Sequence, residues 1–416
     1  MQLTPRQEEA VDLILHKKIG VITGAAGSGK TTVMDTALRR FKGTTCLMAP
    51  TGRAAKRIQE VTGQPAATIH RALGAQRSGA WAFHRHNPLP FDLVIVDETS
   101  MVDVPLMQRL MDAIDVTTTR LMLVGDVNQL PSVGPGRVFA DIIDSGTVPV
   151  VRLDVVQRAA ASTWVYRAAP KVLEGGWEHA RQDQTYKAVW SSDPHEARAK
   201  IVDIVSVRMP RAGITDVQVM APMYSGPLGV MALNSALQEA LNPTRYNGGD
   251  PEPGLAFRSR GVEVLIRERD RVVQLTNDYT RAVFNGEIGV VKKITPELVV
   301  VEFDNMKVDY DHSTARTSLA LAYALTVHRM QGSQTRWAVV AMSAEHARMW
   351  SRQILYTAIT RAREGVCVVG DRSALQIALS STYDSDRITF LRSRLSEEEE
   401  KEHDTRDDSG SEWTDP

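Results

Sequence analysis

An apolar run, Ile19-Gly20-Val21-Ile22, leads into Gly24-Ala25-Ala26-Gly27-Ser28-Gly29-Lys30-Thr31. The pattern G-x-x-x-x-G-K-[ST] between a strand and a helix is the phosphate-cradling loop of nucleoside triphosphatases. Glycines let the backbone curl so that several N–H groups point inward at phosphate oxygens, and the following helix adds the positive end of its dipole. Lys30 supplies a point charge for the β- and γ-phosphates, and the Thr31 hydroxyl is a candidate ligand of Mg²⁺. Gly24, Ala25, Gly27, Ser28, Gly29, Lys30, Thr31 and Thr32 are therefore the expected cradle for ATP.

A second apolar strand, Leu93-Val94-Ile95-Val96, ends in Asp97-Glu98. Four apolar residues in a row suit a strand buried on both faces of a parallel sheet. Acids at the carboxyl end of such a strand sit in the crevice where these sheets bind ligands. Asp97 is the expected partner of Mg²⁺, and Glu98 is placed to orient and deprotonate the attacking water. The design repeats at Leu121-Met122-Leu123-Val124, which runs into Gly125-Asp126-Val127-Asn128-Gln129-Leu130-Pro131. Gln129 can sense the γ-phosphate there without adding charge.

A chain of 416 residues has room for two or three domains. It has no run of eighteen apolar residues and no basic-then-apolar leader at Met1-Gln2-Leu3-Thr4-Pro5, so the expectation is a protein without a membrane span, in the cytoplasm of a bacterial or phage-infected cell. Cys46 and Cys367 fall in apparent core strands and read as small buried hydrophobes in a reducing compartment. Nothing has zinc-ligand spacing, and His84 and His86 read as polar residues on a solvent-facing strand. The net charge of −1 hides an asymmetry: residues 396–416 hold ten acids and two bases, which leaves residues 1–395 at +7. A basic body with an acidic end is compatible with nucleic-acid binding.

The order of motifs adds to this. Thr4-Pro5-Arg6-Gln7, the phosphate loop, Ala49-Pro50-Thr51-Gly52-Arg53-Ala54-Ala55, Thr68-Ile69-His70, Val96-Asp97-Glu98 and the segment 125–134 follow one another. Later come Tyr323-Ala324-Leu325-Thr326-Val327-His328-Arg329-Met330-Gln331-Gly332-Ser333 and Leu355-Tyr356-Thr357-Ala358-Ile359-Thr360-Arg361-Ala362. Over residues 3 to 372 this set resembles the RecD/Dda branch of superfamily 1 helicases. The resemblance implies an α/β fold of two RecA-like P-loop domains, with ATP between them and single-stranded DNA across their tops. It implies that Gln7 reads the adenine edge, that Gly332 lies at the nucleotide, and that Arg361 and Arg158 are arginine fingers. Arg158 departs from the usual aromatic-Arg-Gln, since Gln157 precedes it and Ala159 follows, and Arg152 and Arg167 are nearby rivals. Gln334 stands where relatives commonly carry a ribose-binding glutamate. Thr51, Arg53 and His70 on one domain, and Thr326 and His328 on the other, would hold the DNA.

Two insertions accompany these domains. Residues 74–90 read as a hairpin, with Ser78-Gly79 as its turn and Trp81-Ala82-Phe83-His84-Arg85-His86 alternating before Pro88 and Pro90. In relatives a hairpin here is the pin that splits the duplex; the alternative is that Trp81 and Phe83 pack it onto the body. Residues 261–315 carry short alternating strands with turn residues between, the pattern of a small barrel, and relatives have an SH3-like barrel here. Asn285-Gly286-Glu287 is a hairpin-turn signal as well as a family motif that would place Asn285 at the DNA. Before the barrel, Tyr186–Trp190 reads as a strand, residues after Pro194 as a helix, Val217–Pro222 as a core strand of the second RecA-like domain and 241–257 as loop. Gly226-Pro227-Leu228-Gly229 opens a helix whose Asn234 either meets a phosphate backbone or packs.

The expected division is 1–152 for the N-terminal RecA-like domain, 153–260 with 316–385 for the C-terminal one, 261–315 for the barrel, and 396–416 for a disordered acidic tail. The reading is an ATP- and Mg²⁺-dependent helicase, monomeric and without membrane contact, translocating 5′→3′ on single-stranded DNA and opening forked duplexes. The tail, with its lone Trp413, is read as solubilising, as a competitor for the basic groove, or as a dock for a single-strand-binding protein. Two rivals remain: a P-loop ATPase of another class, such as a clamp-loader-like switch, and a partner-dependent subunit of a recombination complex.

Overall fold

The computed structural model describes residues 3–396 other than 77, 154–162, 179–183, 212, 214–215, 248–249, 305, 383–386 and 388. Arg158 and the tail beyond Ser396 lie outside the described residues. The chain divides into two compact units: residues 3–50, 54–153 and 387–396 form the first, and residues 51–53 and 163–382 the second. Residues 51–53 thus group with the second unit, and residues 387–396 with the first.

The first unit is a six-stranded sheet in the order Ala66–Thr68, Thr45–Ala49, Leu93–Val96, Arg120–Gly125, Ile19–Gly24, Val150–Leu153. Every pairing is parallel. Successive residues of one strand feed opposite faces, because side chains alternate. Ile22, Ile95 and Val124 pack beneath the helices Pro5–His16 and Lys30–Arg40. Val21, Val94 and Leu123 pack beneath Val104–Asp112 and Val138–Ser145. With both faces covered, the strands read as unbroken apolar runs rather than alternating ones. The strand Arg120–Gly125 separates the phosphate-loop strand from the Asp97 strand, so its own carboxyl end opens between them.

The second unit carries a five-stranded parallel sheet, ordered Ala324–Thr326, Val217–Ala221, Thr335–Met342, Ala362–Gly370, Tyr186–Trp190. An antiparallel five-stranded sheet, Met306–Asp311, Leu298–Phe303, Ile288–Ile294, Arg271–Gln274, Leu319–Leu321, is the expected barrel segment. It runs past residue 315, because Leu319–Leu321 pairs with Arg271–Gln274. The expected loop at 241–257 is in part a strand: Gly254–Ser259 pairs with Val262–Arg267. Glycine and proline marked this stretch as irregular, but Leu255 and Ile266 bury themselves in the common core and fix the register. Asn234 is buried and tied to the backbone, its amide donating to the Ala324 carbonyl at 2.9 Å and accepting from the Ala324 N–H at 2.9 Å.

The hairpin expected at 74–90 forms in short form about Ser78-Gly79: Gln76 N–H donates to the Ala80 carbonyl at 2.9 Å and Ala82 N–H to the Gly74 carbonyl at 3.1 Å, with bridges joining Ala75 to Trp81 and His84 to Asn87. Pro88 and Pro90 have no N–H for a ladder, and Leu89 turns into the core. Trp81 and Phe83 are half-buried against the face holding Val94 and Leu123, while His84 and His86 are exposed. Cys367 is buried and Cys46 partly so; burial pushes their thiols up to about 12 and about 11, so both stay protonated at neutral pH. Among the described residues no helix is long and apolar enough to cross a membrane.

Candidate active site

The phosphate loop is held open by two left-handed glycines, Gly27 at φ 85° and Gly29 at φ 90°, a region closed to most side chains. Gly29 is also the N-cap of the helix Lys30–Arg40, so the N–H groups of its first turn have no side-chain cap and face the loop. Lys30 reaches back, its Nζ donating to the carbonyls of Gly24 at 2.5 Å and Ala25 at 3.1 Å. Ser28 Oγ is buried and has no partner, an orphaned donor inside an anion-shaped cradle. Thr31 is half-buried and Thr32 exposed on the first turn.

Gln7 abuts this loop. Its Nε2 donates to the Ser28 carbonyl at 3.2 Å, and its Oε1 accepts from Thr4 N–H at 3.1 Å while Thr4 Oγ1 accepts from Gln7 N–H, closing a capping box. A Cβ on Gly29 would come within 2.3 Å of Gln7 Nε2, so the amide and the loop are in contact. The bonds to Ser28 and Thr4 use one N–H and one lone pair of the amide, which has a second of each.

Asp97 and Glu98 follow the strand Leu93–Val96, and Glu98 N–H donates to Asp97 Oδ1 at 2.8 Å. Glu98 stands at φ 52°, a left-handed conformation that costs a non-glycine residue on the order of 1–3 kcal/mol. The turn ends the strand direction and starts the short helix Thr99–Met101. Burial, and next the charge of Glu98, push the Asp97 carboxyl up to about 6. A half-buried carboxylate destabilised by its acidic neighbour fits a divalent cation, which takes one or two carboxylates and phosphate oxygens. Gln129 is buried 3.1 Å from Asp126, its Nε2 donating to Oδ2. Asp126 also accepts from Asn128 N–H, and Thr23 Oγ1 accepts from Val127 N–H, which ties this turn to the end of the phosphate-loop strand. Thr23 and Asp126 escaped the sequence reading; only the acid inside Gly125-Asp126-Val127-Asn128-Gln129 signalled them.

The second unit brings together two of the expected site segments. Arg361, 2 % exposed, caps the helix Arg352–Thr360, and its Nη1 donates to the Ser333 carbonyl at 3.2 Å, beside Gly332. Its Nε donates to the Thr357 carbonyl at 3.1 Å. Thr326, at the end of its strand, accepts from Arg329 N–H through Oγ1, which starts the turn His328–Met330.

Residues 7–135 match the family model of an AAA domain, 321–369 that of a UvrD-like helicase C-terminal domain, and 233–310 that of the SH3 domain of ATP-dependent RecD-like DNA helicases. The ATP-dependent RecD2 DNA helicase of Deinococcus radiodurans is 35 % identical over 402 residues, covering 94 % of this chain and 52 % of its own. RecD, a RecBCD enzyme subunit of Mycolicibacterium smegmatis, is 32 % identical over 432 residues, covering 94 % of this chain and 74 % of its own. The chain belongs to the RecD-like family of superfamily 1 helicases. It spans about half the length of the RecD2 relative and about three quarters of RecD. The Pif1 helicase of Candida albicans shares the fold, with a TM-score of 0.58 at 17 % identity over 97 % of this chain and all of its own.

Within this RecD-family chain, the residues expected at DNA fall into separate groups. His70 is exposed on the short helix Ile69–Ala72, and its ring lies 5.6 Å from that of Trp81, tilted by 33°. The aromatic pair and Phe83 thus share one surface of the first unit, with His70 exposed and Trp81 and Phe83 half-buried. In the second unit Arg53 donates to the Gly286 carbonyl at 3.2 Å, next to the exposed Asn285. Thr51 lies two residues from Arg53 and is half-buried, as is His328.

Proposed function

We propose that this chain is an ATP- and Mg²⁺-dependent DNA helicase that translocates 5′→3′ on single strands and opens forked duplexes. The observation that carries the reading is the phosphate loop with Asp97, Glu98 and Gln129 in the first unit, together with the segments 326–333 and 357–361 folded against each other in the second. Mg²⁺ would be held by Thr31 and Asp97 and would supply charge neutralisation at the phosphates. Lys30 binds the β- and γ-phosphates, Gln7 the adenine, and Glu98 takes the proton of the attacking water. Gln129 and Arg361 stabilise the γ-phosphate, as does Arg158 in the same scheme. Thr51, Arg53, His70, Asn285, Thr326 and His328 hold the DNA backbone, with Trp81 meeting the fork on a hairpin that Phe83 packs onto the body.

This reading includes a monomer working in the cytoplasm and an acidic end that docks a single-strand-binding protein. The family's RecD members named as RecBCD subunits favour a second reading, in which turnover needs a partner chain. ATP turnover by the purified chain, with and without single-stranded DNA, tests the proposal. Stimulation by DNA alone supports a self-sufficient helicase. Turnover that ignores DNA would assign the chain to another class of P-loop ATPase.

A further inference from the structure

The segment after Gln129 is braced from two sides. On one side, Val104 N–H donates to the Pro135 carbonyl at 3.1 Å, at the start of the helix that follows Glu98. A Cβ on Gly134 would come within 2.0 Å of Asp103 Oδ2, so the loop has no room to move that way. On the other side lies the end of the chain. Arg387 Nη1 donates to the carbonyls of Gly134 at 3.1 Å and Gly136 at 3.0 Å. Thr389 Oγ1 donates to Oδ2 of Asp141 at 2.8 Å, and Asp141 is 3 % exposed on the helix Val138–Ser145. Leu391 then packs onto the same apolar face as Val138 and Phe139. These residues follow the second unit in sequence yet belong to the first.

We infer that Arg387 and Thr389 are positioning residues for ATP hydrolysis: they form a latch that fixes the loop 130–137, and through it Gln129. The inference rests on the ATPase reading above. Leu130 is fully buried and Ser132 Oγ donates to the Gly134 carbonyl at 3.1 Å, so the path from the latched carbonyls to Gln129 is short and stiff. The same loop touches the helix downstream of Glu98, so the latch steadies both the water-activating and the γ-phosphate-sensing arms. A guanidinium suits this task because its planar Nη1 directs two hydrogens, one to each carbonyl, from a side chain that stays charged. The nucleotide cradle itself is built from residues 24–32 and makes no use of the latch. Its loss is therefore expected in the chemical step rather than in ATP binding.

The test compares the full chain with Arg387→Ala, Arg387→Lys and Thr389→Val, measuring DNA-stimulated ATP turnover and amide hydrogen exchange over 130–137. Misplacing a catalytic group by about 1 Å can cost on the order of a hundredfold, and a latch that acts at second hand should cost Arg387→Ala about tenfold in kcat with KM within about twofold. Arg387→Lys should recover part of that loss, Thr389→Val should show a smaller one, and exchange at 130–137 should quicken in both deficient variants. Phe390→Ala, altering a side chain that is 68 % exposed, should match the parent. Unchanged kcat in Arg387→Ala overturns the inference even if exchange quickens. A proportional fall in melting temperature and in all activities, unrescued by lysine, overturns it in favour of a structural strap. If the parent chain itself turns over ATP without regard to DNA, the helicase reading fails while the latch is still judged by kcat and exchange.

Discussion

The guanidinium of Arg361 lies 3.2 Å from the backbone carbonyl of Ser333, buried, with its Nε on Thr357. Two segments nearly thirty residues apart in sequence are joined by one side chain that cannot lose its charge. An arginine finger must exchange such carbonyls for phosphate oxygens when nucleotide is bound. Removing one costs roughly 10³–10⁵ in rate in other nucleotide hydrolases. Arg361→Ala is accordingly expected to lower kcat by about a thousandfold, and to loosen the loop 331–333 as well. Arg361→Lys should restore the loop's protection from hydrogen exchange without restoring the rate; a variant with normal turnover would remove Arg361 from the chemistry.

Lys30 is folded onto the Gly24 and Ala25 carbonyls, ready to be drawn to phosphate. Lys30→Ala should reduce ATP turnover by more than about a hundredfold, the scale for losing a preorganised electrostatic group. Single-strand binding should stay near the parent's, because the loop serves phosphates of ATP. Turnover at a tenth of the parent or better would refute the assignment of the loop.

Glu98→Gln keeps the size and the left-handed turn but cannot accept a proton. A lost general base costs about 10²–10⁴, so hydrolysis should collapse while ATP still binds and stays bound. Retention of unhydrolysed ATP on the protein in a filter assay is the readout; rapid release of product phosphate would contradict the role.

Burial, and next the charge of Glu98, push the Asp97 carboxyl up to about 6 in the folded chain, against 3.8 for an ordinary aspartate. A raised folded pKa means that the folded state holds the proton more tightly. The stability this contributes is complete below about pH 3.8 and is lost as pH rises through about 6. Without Mg²⁺ and nucleotide, Asp97→Asn should therefore gain stability relative to the parent between pH 4 and pH 7.5, seen in melting temperatures. Adding Mg²⁺ with ATP at pH 7.5 should favour the parent alone. An equal difference at both pH values would mean that Asp97 is not held at a cost.

Much of this was legible in the chain because the chemistry is local. Gly24 to Thr31 builds its cradle from consecutive residues, and Asp97 and Glu98 are carried by the strand just before them. Parallel strands such as Leu93–Val96 announce themselves by unbroken apolar runs. The alternation of Trp81 to His86 signals a hairpin whose length it overstates, because Trp81 and Phe83 turn onto the sheet face and the ladder stops short of Pro88 and Pro90. Gly254–Ser259 was hidden by its glycine and proline neighbours, its partner strand being set by long-range burial. The contacts of Arg387 with Gly134 and Gly136 join residues some 250 apart, for which no spacing rule exists.

Phe83 and Trp81 can be separated by experiment. Phe83 packs into the first unit, and Trp81 pairs with the exposed His70. Phe83→Ala should lower the melting temperature and depress ATP turnover and unwinding together, whereas Trp81→Ala should reduce unwinding more than turnover. A base–aromatic stack is worth about 1–3 kcal/mol, so a several-fold loss of unwinding rate is the expected scale. Equal losses in both variants would make Trp81 a packing residue only.

The most direct measurement of the central claim uses two forked substrates that differ only in which strand is single-stranded, one with a 5′ tail and one with a 3′ tail. With ATP and Mg²⁺, the chain should open the 5′-tailed duplex and leave the 3′-tailed one closed, and Lys30→Ala should open neither. Opening from the 3′ tail alone, or from neither with the unaltered chain, would contradict the account.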